Sequence, residues 1–243
     1  RRGLKDQNEF PGIARPRAVQ LMRDMPQCTG PLEYQRPDLA ERELDGLVNG
    51  VNETGSAHKD LFMSAASPGI IALTLGNAHY ASHEEYVMAL AEEMRKEYEI
   101  ITNQEVVLQL DCPDLAMERH VAYQDEPLQA FQEVVALHIA AINHAIRNIP
   151  REQGRLHVCW GNTEGPHHYD VPLEDILSLV YEANVGALVM EMANPRHAHE
   201  YKVYQRFPLP EHMLLVAGVI VVLMPALVWL LPPRETEASD KGL

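Results

Sequence analysis

Three residues with metal-ligand side chains end two apolar segments of this 243-residue chain. His157 and Cys159 are separated by one residue, and Glu191 directly follows the apolar run at positions 187–190. In a β-strand, residues i and i+2 point to the same face, so this imidazole and this thiol lie side by side. Zinc takes nitrogen, thiolate sulfur and carboxylate oxygen ligands, and a catalytic zinc keeps one position open. The pattern therefore predicts a zinc site at His157, Cys159 and Glu191.

Each of these residues also has an ordinary structural interpretation. A buried cysteine is usually a small hydrophobic residue, and a carboxylate such as Glu191 needs a cation, which Arg196 could supply as well as a metal. Asp111, at the end of another apolar segment, suits a turn or helix cap beside Pro113. Cys112 and His138 are expected to be core residues. Surface or outer-sphere roles are expected, rather than direct ligation, for the four loop histidines His167, His168, His197 and His199.

Strand and helix patterns alternate along the chain from residue 70 onward. The predicted strands are Ile70–Leu75, Val106–Leu110, Arg155–Cys159, Ala187–Met190 and Leu214–Ile220. Apolar residues at helical spacing predict amphipathic helices between these strands. One begins at the capping box of Ser82, one begins at Pro127, and one covers Leu173–Val180. An earlier helix is predicted at Arg36–Leu47. Such alternation indicates parallel βα units.

The polar residues fall at the carboxyl ends of these strands, where (β/α)8 barrels keep their chemistry. Asn77 and His79 follow the first predicted strand, and Asp111 ends the second. A doubly wound sheet also binds ligands at this edge, but the first strand here is not followed by a glycine-rich phosphate loop. The expected fold is α/β, a (β/α)8 TIM barrel that is incomplete, since only about five of eight strands are recognisable.

Several longer motifs resemble those of the cobalamin-independent methionine synthase family, and in particular its short, single-barrel branch. The segments that carry this resemblance are Ser67-Pro-Gly69, Leu108-Gln-Leu-Asp-Cys-Pro-Asp-Leu-Ala-Met117, His157-Val-Cys-Trp-Gly-Asn162 with Glu164-Gly-Pro-His-His168, and Glu191-Met-Ala-Asn-Pro-Arg-His-Ala-His-Glu200. The similarity extends from about Phe10 to Ile220.

The resemblance implies a zinc-dependent S-methyltransferase of methionine biosynthesis, in which a homocysteine-like thiol attacks a folate-like methyl donor. His157, Cys159 and Glu191 match three zinc ligands of the family, and Asp111 matches an aspartate that holds the amino group of the substrate. Only a thiolate is a good nucleophile, and a bound zinc lowers the pKa of a thiol and positions it. The alkyl donor could also be a methylcobamide protein or an epoxide, because a zinc-bound thiolate would attack either one in the same way.

The chain departs from the family pattern at both ends. After Ile220 it has no Asp-Cys-Gly segment with the fourth zinc-ligand cysteine, and the opening strand of the family barrel is also missing. We therefore expect a partial barrel domain at 1–220 and a divergent apolar segment with a charged tail at 221–243. A non-catalytic barrel fragment is an open alternative.

A tail-anchored membrane protein with a soluble head is another alternative, because residues 213–231 are almost wholly apolar. Pro225 would interrupt a spanning helix, so membrane insertion is not the favoured interpretation. The net charge of −15 argues against nucleic acid as a partner. Three widely spaced cysteines predict a reducing, cytoplasmic setting rather than a disulfide framework.

Overall fold

A parallel five-stranded sheet organises the computed structural model, which describes residues 8–10, 26–55, 60–161 and 166–218. Its strands are β2 Phe62–Ala66, β4 Val107–Asp111, β5 Gly154–Val158, β6 Ala187–Glu191 and β7 Leu214–Gly218. A separate two-residue pairing joins β1 Gln27–Cys28 to β3 Gly76–Asn77. The fold is therefore α/β, as the strand and helix alternation predicts.

The strands of the large sheet lie in chain order, β2-β4-β5-β6-β7, and every neighbouring pair is parallel. Each new strand is thus added at the same edge, as in a (β/α)8 barrel, whereas a doubly wound sheet reverses its order at a switch point. Among the described residues β2 and β7 each have one neighbouring strand and do not pair with each other. The arrangement is consistent with an incomplete TIM-barrel-like fold.

Helices connect the strands and cover one face of the sheet. They are α1 Pro37–Thr54, α2 Pro68–Thr74, α3 His83–Thr102, α4 Met117–Val121, α5 Leu128–Ala145, α6 Leu177–Val180 and α7 Val203–Arg206. Helix α3 begins as the capping box predicts, with the Ser82 hydroxyl accepting from the Glu85 amide at 3.1 Å. Helix α5 follows Pro127, as predicted, and its inner face buries Phe131, Val135, His138 and Ile142.

The two faces of the sheet differ in burial because side chains alternate along each strand. The helix-covered face is fully buried in the central strands β4, β5 and β6 and forms the hydrophobic core with α3 and α5; these strands contribute Leu108, Leu110, Leu156, Val158, Leu188 and Met190. The opposite face is half-buried in β4, β5 and β6 and more exposed in the outer strands, with Phe62 and Val216 at 49% and 39%. Asp111, His157 and Glu191 belong to this open face.

The first predicted strand is wrong. Ile70–Leu75 lies mostly in helix α2, because the Ser67 hydroxyl caps the amide of Ile70 and Pro68 occupies the first turn. The true first strand, Phe62–Ala66, has no β-branched residue and so gives a weak strand signal. As a consequence, Asn77 and His79 follow α2 and are exposed, and they do not end a strand of the large sheet.

Three other predicted elements differ in extent. The helix expected at Arg36–Leu47 continues to Thr54. The helix expected over Leu173–Val180 is a 3-10 turn at Leu173–Asp175 followed by the short α6, although its apolar residues are buried as expected. The last predicted strand is observed as β7, and its final two residues lie outside the described part of the chain.

The apolar stretch at 213–231 is described only in its first six residues, which include the strand β7. Among the described residues no helix is long and apolar enough to span a bilayer. The proposed boundary at 220 and the segment at 221–243 lie outside the described residues.

Candidate functional site

Four polar side chains meet at the carboxyl ends of three neighbouring strands, and we call Asp111, His157, Cys159 and Glu191 the strand-end group. Asp111 is the register partner of His157 across β4 and β5. Val158 pairs with Met190, so Cys159 and Glu191 follow as the next residues of β5 and β6. The sheet therefore brings all four predicted site residues to one edge, as parallel strand ends require.

Asp111 and His157 form the strongest contact within this group. The Nδ1 atom of His157 donates to Oδ1 of Asp111 at 2.5 Å, and the side chains are 27% and 49% exposed. A carboxylate on one imidazole nitrogen fixes the tautomer and leaves the other nitrogen as a metal ligand. The contact gives Asp111 a positioning role toward His157 that the sequence did not indicate.

Cys159 is half-buried and lies near two carboxylates, Asp111 and Glu191. Burial raises the pKa of its thiol to about 11; a hydrogen bond from the Gly161 amide opposes this, and the charges of Asp111 and Glu191 add to it. A free thiol here is thus protonated at neutral pH. A bound divalent cation would reverse that balance, since metal coordination deprotonates a thiol outright.

The strand-end group is open. In the described residues, only one set of three His, Cys, Asp or Glu side chains brings its ligand atoms within 4.8 Å of one another, and that set does not include His157, Cys159 or Glu191. Within the strand-end group, the contact across strands that is observed joins His157 to Asp111 at 2.5 Å, and it involves only one of the three predicted metal ligands. The metal role of these three residues is therefore still a prediction.

The compact set is His167, Asp170 and His197, which we call the loop cluster. His167 Nδ1 donates to Asp170 Oδ2 at 2.7 Å, and His197 Nε2 donates to the same oxygen at 2.9 Å. His120 Nδ1 lies 3.6 Å from the other oxygen of Asp170. His167 and Asp170 follow β5, and His197 follows β6, so the cluster joins two loops at the same end of the sheet as the strand-end group.

Surrounding groups hold the loop cluster in place. The Trp160 ring stacks on His197 with centroids 4.0 Å apart, and its indole nitrogen donates to the Val171 carbonyl. Glu200 accepts from His197 Nδ1 at 3.2 Å and from the Leu173 amide at 2.8 Å. Because Trp160 directly follows Cys159, the packing of the loop cluster bears on the strand-end group.

The electrostatics of the loop cluster favour an ion pair. Burial lowers the pKa of His197, but hydrogen bonds to Asp170 and Glu200 outweigh it and raise the pKa to about 9. Burial raises the pKa of Asp170, and the hydrogen bonds from His167 and His197 more than offset this, so the net shift is downward. Without a metal, the cluster is a carboxylate paired with an imidazolium.

Sequence reasoning placed His167 and His197 in surface or outer-sphere roles and did not bring them together. Their side chains are only 9% and 8% exposed. The two histidines are far apart in the chain, so residue spacing could not predict the contact. The available signal was that both polar segments, 166–170 and 192–200, come after neighbouring strands in the chain.

A second histidine–aspartate arrangement lies inside the core, and we call Ser67, Asp114 and His138 the buried network. Asp114 accepts from the Ser67 hydroxyl at 2.6 Å and from His138 Nδ1 at 2.8 Å, and all three residues are fully buried. His138 Nε2 lies 3.1 Å from His83 Nε2. This confirms the predicted role of His138 as a hydrogen-bonded core residue, and Cys112 is likewise fully buried, as expected for packing.

Comparison with protein-family models and with curated proteins finds no match for the chain. Among solved structures, the chain is similar to a B12-independent methionine synthase from a Shewanella species, solved in complex with selenomethionine, at 17% identity and a TM-score of 0.47. The similarity covers 69% of this chain and 46% of that chain, so this chain spans less than half the length of that enzyme.

Proposed function

We propose that this chain carries part of the active site of a zinc-dependent thiol S-methyltransferase. The observation that supports this most directly is the meeting of Asp111, His157, Cys159 and Glu191 at the carboxyl ends of β4, β5 and β6. Catalytic residues of barrel enzymes come from the ends of several strands at this face. The substrates proposed are a small homocysteine-like thiol and a folate-like methyl donor.

The residues present fit a zinc ion. His157, Cys159 and Glu191 supply nitrogen, sulfur and oxygen donors, and three protein ligands with one open position are typical of catalytic zinc. Asp111 holds the Nδ1 atom of His157, as outer-sphere carboxylates do in histidine–zinc sites. The negative charges that raise the pKa of Cys159 also attract a cation.

When bound, zinc supplies a positive charge that favours the thiolate of the substrate. The residues of the chain perform the other tasks. Asp111 is half exposed, so it can accept a hydrogen bond from the ammonium group of an amino-thiol while it holds His157. Glu191 and Cys159 follow paired positions of β5 and β6, so together with His157 they would hold the ion at a fixed place and thereby position the sulfur nucleophile before the donor. The sequence has no cysteine after Cys159, so these three residues would hold zinc without a further thiolate, and we expect loose binding.

Metal binding tests this proposal. The chain is stripped with a chelator and titrated with cobalt(II), whose thiolate complexes absorb in the near ultraviolet. The wild type should develop this absorption, and Cys159→Ser should lose it. Cys28→Ser is the matched control, because Cys28 is a half-buried thiol whose Sγ atom donates to the Gly30 carbonyl. Unchanged absorption in Cys159→Ser would overturn the proposed zinc site.

Methyl transfer is measured separately as methionine formed from homocysteine and methyltetrahydrofolate. A chain with a functional site should form methionine in a zinc-dependent way that Cys159→Ser removes. Zinc binding at Cys159 without methionine formation would confine the proposal to metal binding and refute the transferase activity of this chain.

A further inference from the structure

The loop cluster has the donor geometry of a second metal site. His167, Asp170 and His197 each offer one donor atom, and these three atoms lie within 4.8 Å of one another. Neighbouring ligands of a tetrahedral zinc are about 3.3 Å apart, given metal–ligand bonds of about 2.0–2.1 Å. The observed 2.7 and 2.9 Å contacts to Asp170 need to lengthen by only a few tenths of an ångström to admit the ion.

The surroundings of His197 match those of a metal-bound histidine. Glu200 accepts a hydrogen bond from Nδ1 of His197, and Nε2 of the same ring faces Asp170. A ligating histidine usually donates its other N–H to a carboxylate or carbonyl, which fixes its tautomer. The stacked Trp160 ring then fixes the imidazole plane.

Asp170 provides an independent observation that points to a cation. Its Oδ2 atom accepts two hydrogen bonds, whereas its buried Oδ1 atom makes no hydrogen bond among the described residues and has His120 Nδ1 3.6 Å away. The side chain is only 5% exposed. A buried carboxylate oxygen that makes no hydrogen bond is costly, and a cation held by the carboxylate would offset that cost.

We propose that His167, Asp170 and His197 bind a divalent transition-metal ion of the zinc class, separate from the strand-end group. Imidazole nitrogen suits zinc, copper, iron and nickel, whereas calcium and magnesium prefer oxygen ligands. The ion ties the loop after β5 to the loop after β6. It thereby anchors Trp160, the residue that follows Cys159, so its role is to hold the two loops at the strand ends.

The test uses the full chain with Cys159→Ser, which removes the thiolate of the strand-end group. This variant is stripped of metal and titrated with zinc, and binding is measured by calorimetry. Asp170→Asn is then added in the same background. His199→Ala is the matched control, since His199 is an exposed histidine two residues from His197 and outside the cluster.

The Cys159→Ser chain should bind about one zinc, and saturating zinc should raise its melting temperature. Adding Asp170→Asn should weaken zinc binding by at least about 10-fold, because the substitution removes a ligand and even outer-sphere changes cost about 10–100-fold. Adding His199→Ala should leave the affinity within about 2-fold. Circular dichroism establishes that each variant is folded, and His167→Gln replaces Asp170→Asn if the latter is not.

Two results would overturn the proposal. One is a Cys159→Ser chain that binds no zinc at millimolar concentration, and the other is an affinity that neither Asp170→Asn nor His167→Gln changes. Cobalt absorption of the wild type tests the strand-end group alone, because it depends on the Cys159 thiolate. A failure of the loop cluster to bind metal can therefore be distinguished from a failure of the strand-end group. Loss of the sulfur band in Cys159→Ser with no remaining metal would support the strand-end site and refute the loop cluster.

Discussion

The strand-end group and the loop cluster lie at the same end of the sheet but differ in closure. Asp111 and His157 are 49% and 27% exposed, whereas Asp170 and His197 are 5% and 8% exposed. The ligand atoms of the loop cluster lie within 4.8 Å of one another, and those of the strand-end group do not. Asp111 and His157 touch across β4 and β5, but the three predicted metal ligands of the strand-end group do not form a compact set, whereas the two loops bring His167, Asp170 and His197 together.

The difference in closure suggests different tasks. Catalytic zinc sites keep an open position for substrate, and structural zinc sites are closed by protein ligands. The open strand-end group is suited to admit a substrate thiol, and the compact loop cluster is suited to fix two loops. The buried network is fully closed to solvent and extends this comparison at the closed end.

His138→Leu should have the largest effect, on stability alone. It leaves the buried Asp114 carboxyl with only the Ser67 hydroxyl as a partner, and an unsatisfied buried polar group costs about 1–3 kcal/mol or more. His144→Leu is the control on the same helix, since the exposed His144–Glu92 pair should contribute less than about 1 kcal/mol. Urea unfolding measures the stability of both variants. Equal losses of stability would contradict the structural role of the buried network. A change in cobalt absorption in His138→Leu would show that the buried network also affects the strand-end group.

Cys159→Ser should have the next largest effect, on metal binding at the strand ends. Removing a ligand should weaken zinc binding there by about 100-fold or more, beyond the range for outer-sphere partners, while the loop cluster keeps its metal. Cobalt titration with near-ultraviolet detection measures the first site, and total bound metal measures both. Simultaneous loss of both metals would show that the two groups form one site.

The sequence predicted the strand-end group because each of its residues belongs to a strand or directly follows one. The period of two and the parallel order of β4, β5 and β6 then fix which side chains meet. The loop cluster could not be predicted in this way, because His167 and His197 are joined by the folding of two irregular loops. Helix α2 shows a different limit, since the cap at Ser67 and Pro68 overrode a strand-like apolar run.

Asp111→Asn should produce an intermediate effect that is confined to the strand ends. An asparagine can still contact His157 but is uncharged, so zinc affinity there should fall by about 10-fold, and binding of an amino-thiol should weaken as well. The melting temperature should change little because Asp111 is half exposed. Cobalt titration and calorimetry with homocysteine separate the two losses; a large drop in melting temperature with unaltered binding would instead assign Asp111 to capping.

The smallest expected effect is a pH dependence that the loop cluster has in the metal-free protein. Hydrogen bonds to Asp170 and Glu200 overcome burial and raise the pKa of His197 from 6.5 to about 9. The folded protein therefore holds this proton more tightly than the unfolded chain does. Its contribution to stability is fully present below pH 6.5 and is lost as pH rises through about 9.

In the presence of chelator, the free energy of unfolding should thus fall between about pH 6.5 and 9. His197→Gln should flatten this slope, and the exposed control His199→Gln should retain it. Zinc should reverse the trend, because the metal competes with the proton for His197 and its stabilisation grows as pH rises. Urea unfolding at a series of pH values, with chelator and with zinc, gives both slopes. If the slopes with and without zinc were the same in the wild type, the loop cluster would be an ion pair that does not bind the metal, and the contrast with the strand-end group would rest on exposure alone.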